Sequence, residues 1–70
     1  MAEIRAERVA NVWKVTARPG DAVAEGDTLL VLETGKMEIP VQAGNPGRVV
    51  DVVVDEGDVV REGDLLAVVE

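Results

Sequence analysis

Glu33-Thr34-Gly35-Lys36-Met37-Glu38-Ile39-Pro40 lies near the middle of the 70-residue chain, between Leu29-Leu30-Val31-Leu32 and Val41. Two apolar runs separated by a short polar stretch containing glycine form the pattern of a β-hairpin. Gly35 suits its turn because glycine takes a positive φ without steric cost. The pattern predicts Lys36 at an exposed tip. The neighbouring sequence is of the same kind, rich in valine, which packs well on a pleated sheet and loses rotamer freedom in a helix. Seven glycines and three prolines divide the chain into pieces too short for ordinary helices. The expectation is an all-β chain of short strands, with Val12, Lys14 and Thr16 on one face of an early strand and Trp13, Val15 and Ala17 on the other. The run Val49 to Val54 reads as a strand covered on both sides or one with an apolar outer face.

Sliding the chain over itself by 37 positions exposes an internal repeat. Val12 meets Val49, Val15 meets Val52, Gly20-Asp21 meets Gly57-Asp58, and Val23 meets Val60. Glu25-Gly26-Asp27 meets Glu62-Gly63-Asp64, Leu29 meets Leu66, and Val31 meets Val68. Ile4 and Ala6 meet Val41 and Ala43, which extends the unit to an opening strand. Thr34 to Glu38 is the seam between the two copies. Each Gly-Asp pair reads as turn chemistry, glycine supplying the permissive backbone and aspartate bonding a nearby amide. A calcium loop is the weaker reading, because the close, regularly spaced acids it needs are missing.

Composition removes whole classes of chemistry. The chain has no Cys, His, Ser, Phe or Tyr, so zinc centres of Cys and His, disulfides, thiol nucleophiles and Ser-His-Asp triads are out of reach. With 14 acidic against 7 basic residues the formal charge is −7, which repels a phosphate backbone and excludes nucleic acid as a partner. The spread of the acids favours a monomer with a solvated surface. No apolar stretch approaches the roughly 20 residues of a membrane span, and Met1-Ala2-Glu3 lacks the character of a signal peptide, so no membrane partner and a cytoplasmic location are expected. Trp13, the only aromatic residue, reads as a space-filler at a sheet edge or in the core rather than a cofactor platform.

An exposed lysine on a rigid turn can be acylated by another enzyme and then swing the attached group between active sites. Of the two lysines, Lys14 and Lys36, Lys14 falls inside a strand, which leaves Lys36 as the candidate. From spacing alone, an ordinary Gly-Lys turn accounts for the same residues.

The segment Glu33 to Pro40, together with the Gly-Asp turns and the two-unit repeat, resembles the biotinyl/lipoyl attachment domain family over essentially the whole chain. The resemblance implies a flattened, hammerhead-like barrel of two four-stranded antiparallel sheets related by a pseudo-twofold axis. It implies that Lys36 is modified and that the termini lie at the end far from it. Met37-Glu38-Ile39-Pro40 and Asn11-Val12-Trp13-Lys14-Val15 are closer to small free-standing biotin carriers, which favours biotin on Lys36. Lipoate is the alternative: Glu33-Thr34 matches the lipoyl pattern, although the Asp and Ala that usually flank a lipoyl lysine are absent. Gly35 departs from both patterns, since biotinyl domains usually have Met there. Gly35 and Met37 are the flanking residues a ligase would read, and Met37 reads equally as an apolar cap on the hairpin.

The resulting expectation is a single carrier domain over residues 1–70, a substrate of other enzymes rather than an enzyme. A biotin protein ligase would load it, and it would carry carboxylate from a biotin carboxylase to a carboxyltransferase. A lipoyl carrier of an acyl-transfer or dehydrogenase complex, and an unmodified all-β interaction module, are the competing readings.

Overall fold

The computed structural model describes residues 1–70 and contains strands, turns and bends only. The strands are β1 (Ala2–Arg5), β2 (Ala10–Val15), β3 (Ala22–Val23), β4 (Thr28–Thr34), β5 (Met37–Gln42), β6 (Gly47–Val52), β7 (Val59–Val60) and β8 (Leu65–Val69). They form two four-stranded antiparallel sheets, ordered β1-β8-β6-β3 and β5-β4-β2-β7. A shift of 37 residues carries β1 to β4 onto β5 to β8, and it carries each sheet onto the other. The repeat in the sequence is therefore the pseudo-twofold of the flattened barrel, with the core between the sheets.

The Gly-Asp pairs lock the two copies together. In all four turns the aspartate carboxylate accepts a bond from the amide three residues earlier: Asp21 from Arg18, Asp27 from Ala24, Asp58 from Asp55, and Asp64 from Arg61, at 2.8–2.9 Å. The glycines Gly20 and Gly57 share a φ of 95°, and Gly26 and Gly63 share 89°, a region that side-chain-bearing residues enter only at a cost. Each turn then grips the other copy. The Gly57 amide donates to the Val12 carbonyl at 2.8 Å while the Val12 amide donates to the Asp58 carbonyl at 2.8 Å, and Gly20, Val49 and Asp21 repeat the arrangement. Gly63, Ala6 and Asp64, and their counterparts Gly26, Ala43 and Asp27, do the same.

Leu29, Leu30 and Leu66 are wholly buried, with Val12 and Val49 packed beside them. Each such side chain contributes about 1.5–3 kcal/mol before entropy is counted. Register shifts at Leu29 and Leu66 insert one extra residue into each strand, and both leucines are buried there.

Two further bulges, at Trp13 and Val50, correct the expected alternation. A bulge adds a residue and resets which face each later side chain meets. Val12 is therefore buried and Val15 partly so, whereas both Trp13 and Lys14 are exposed. Trp13 fills neither the core nor a sheet edge: it is 43% exposed on β2, an interior strand of its sheet. Val50 and Val53 are likewise exposed, so the valine run has an apolar outer face rather than a second covering layer.

Candidate functional site

β4 and β5 pair continuously from Leu30↔Val41 through Val31↔Pro40, Leu32↔Ile39 and Glu33↔Glu38 to Thr34↔Met37. Gly35 and Lys36 alone close the turn. Gly35 has φ +58° and no non-glycine residue has a positive φ, the combination of a type II′ turn, which requires glycine at its first central position. A two-residue turn of this type matches the right-handed twist of the strands and holds the tip in one pose. Pro40, which has no amide hydrogen to donate, is accommodated because β5 is an edge strand.

Lys36 is exposed. It enters no hydrogen bond or ion pair, the one salt bridge of the molecule being Arg5–Glu3. Its amine is thus free for an enzyme to engage, and a covalently attached group fits: nothing on the tip obstructs an amide at Nζ. An added Cβ on Gly35 would meet nothing within 4 Å, so a ligase can approach the turn backbone directly. Met37 is 60% exposed, too open for a cap that stabilises the hairpin by burial. The structure therefore brings Gly35, Lys36 and Met37 together on one accessible tip.

Lys14 is also exposed, but it lies within β2 with its Nζ 5.8 Å from the centre of the Trp13 ring. Trp13 lies on β2 beyond Asn11, the residue opposite Glu33, and so is set back from the turn. It forms no platform beside Lys36.

The turn also sets two acidic residues opposite each other, a pairing that the linear pattern of strands and turns does not display. Glu33 and Glu38 are directly opposite, one pair behind the Thr34–Met37 pair that flanks the turn. Like charges in that relation oppose pairing, so the hairpin holds two carboxylates against their mutual repulsion. The signal lies in the spacing: in a two-residue hairpin, residues five apart and centred on the turn face each other.

The long axis of the molecule measures 31 Å against 17 Å for the other two. β5 runs away from the tip and ends at the loop Ala43–Pro46, which lines one open groove together with Met1, Ala2 and Glu70. The termini therefore lie at the end opposite Lys36, as the pseudo-twofold requires.

The sequence profile of a family described as biotin-requiring enzyme matches residues 2–69. The chain is 53% identical over 67 residues to a protein of Mycobacterium leprae named biotinylated protein TB7.3 homolog, covering 96% of this chain and 94% of that one. Its fold superposes on the urea carboxylase of Kluyveromyces lactis with a TM-score of 0.91 at 35% identity, over 99% of this chain and 6% of the carboxylase. It also superposes on the lipoyl domain of the 2-oxoglutarate dehydrogenase complex from Azotobacter vinelandii, with a TM-score of 0.79 at 27% identity, over 96% and 95% of the two chains.

Proposed function

Because the chain belongs to the biotin-requiring enzyme family and is a biotin/lipoyl carrier domain rather than a catalyst, we propose that Lys36 carries biotin and that the whole chain, residues 1–70, is the carrier unit. The observation that carries the reading is a lysine with no partner, held at the exposed tip of a two-residue turn. A lysine amine carries a proton in water and is no nucleophile until that proton is removed. A biotin protein ligase would remove the proton and let the neutral amine attack an activated acyl group, forming an amide at Nζ.

Biotin when bound supplies a nitrogen that accepts and releases carboxylate, and the protein's part is to position it. The rigid turn presents the lysine, and the flexible side chain carries the head group between a biotin carboxylase and a carboxyltransferase. The likeness to the urea carboxylase supports such partners. Gly35 and Met37 are the residues the ligase would read beside the lysine. Action in the cytoplasm is part of the proposal.

Lipoate is the second reading, favoured by the superposition on a lipoyl domain and by Glu33-Thr34. One experiment separates them: intact mass after incubation with biotin protein ligase, ATP and biotin, and in parallel with a lipoate ligase, ATP and lipoate, each with Lys36→Arg as control. A single biotin adduct that the control lacks is expected. An adduct formed only by the lipoate ligase would replace biotin with lipoate, and an adduct retained by Lys36→Arg would move the site off Lys36.

A further inference from the structure

Two open grooves lie between the facing edges of the sheets. One, of about 230 Å³, runs from the β1–β2 loop to β5 and is lined by Ile4, Leu32, Ile39 and Val41, with Arg8 also on its wall. The other lies beside the termini and is its pseudo-twofold mate: Val69 stands where Leu32 stands, and Asn45 where Arg8 does. The apolar character of the two is similar. They differ in that only the hairpin-side groove has an arginine in the Arg8 position, and only that groove is lined by β5, the strand that follows Lys36.

We propose that the hairpin-side groove is a resting site for the head group carried on Lys36. The inference rests on the biotin reading above. Along β5, Met37, Ile39 and Val41 occupy alternate positions and so share one face. They make an apolar track from the residue beside the lysine into the groove. Ile39 is the third residue of β5 and Lys36 is the turn residue just before that strand, so at most about 10 Å of backbone separates them, and the four-carbon lysine stem lengthened by the acyl chain of biotin exceeds that distance.

The chemistry of the groove matches the two sides of the head group. The thioether ring is apolar and would cover Ile39 and Val41, which are only partly buried. The ureido carbonyl is a strong acceptor, and Arg8 is an exposed guanidinium that makes no hydrogen bond or ion pair within the protein. Five donors without an acceptor at the rim of an apolar floor, in a chain of charge −7, give the groove its orientation. Docking there lowers the fraction of carriers ready to engage a partner, and each partner must draw the head group out.

The test does not depend on the ligase. The chain contains no cysteine, so Lys36→Cys offers one thiol, which is alkylated with a biotin iodoacetamide whose linker restores the length of the lysine stem. In a methyl-labelled sample, nuclear Overhauser contacts are expected from the ring protons to Ile39 and Val41, with none to Val69 in the mate groove. Those contacts should be lost or reduced when Arg8→Gln is added, a surface change that leaves the fold intact. Ring contacts that reach no further than Met37 would overturn the proposal, as would contacts indifferent to Arg8→Gln. Failure of a ligase to modify the natural Lys36 would count against the carrier reading alone, because the thioether is made without it.

Discussion

Lys36 contributes nothing to packing, so its role and the stability of the fold are separable. Lys36→Arg is expected to abolish the adduct seen by mass while shifting stability by no more than about 0.5 kcal/mol, the range of a surface change. Gly35 couples the two. A side chain has room there but must adopt φ +58°, which costs about 1–2 kcal/mol. Gly35→Met should therefore lower the melting temperature, by about 4–8 °C per kcal/mol in a domain of this size. It should also raise the rate of biotinylation, by restoring the thioether that biotinyl domains usually have before the lysine; an unchanged rate would show that Gly35 is not a weakened recognition position. The tip itself was legible in the sequence, because a glycine between two apolar runs marks a turn through local backbone chemistry. The paired carboxylates of Glu33 and Glu38 were not, because facing residues are known only once the turn length is.

Among the elements, the four Gly-Asp turns do the same work in symmetric pairs. Gly26 and Gly63 share their φ, their preceding glutamate and their bonds to the other copy. Gly26→Ala and Gly63→Ala are accordingly expected to cost about 1–2 kcal/mol each, and thermal melts of the two should agree closely. Asp58→Ala removes the acceptor for the Asp55 amide and should cost about 1 kcal/mol. These turns were readable from dipeptides alone, since glycine and aspartate act through local geometry. The bulges were not. Trp13 and Val50 are both followed by residues that could continue a regular strand, and only the pairing with β4 and β8 shows where the extra residue falls.

For the molecule as a whole, the two copies of the repeat are not two domains. β1 pairs with β8, β2 with β7, β3 with β6 and β4 with β5, so most pairings join one copy to the other. A chain ending after Thr34 is expected to show no cooperative melt by circular dichroism, and a stable sheet in that fragment would contradict the interlocked architecture. Leu29→Ala and Leu66→Ala should each cost about 2–5 kcal/mol, which is a large share of the roughly 4–10 kcal/mol available to 70 residues. The repeat made this architecture visible in the sequence, because a shift that superposes turn on turn also superposes strand on strand. What it left hidden was which strands pair, since that depends on contacts between the copies. The opposed placement of the ends has one more result. Ala2 and Val69 are neighbours on adjacent antiparallel strands, so the chain enters and leaves side by side, with the hairpin at the far end of a 31 Å body. Such a unit can be spliced into a surface loop of a larger host without unpicking a strand, and the host would gain an arm held a full molecular length from the splice.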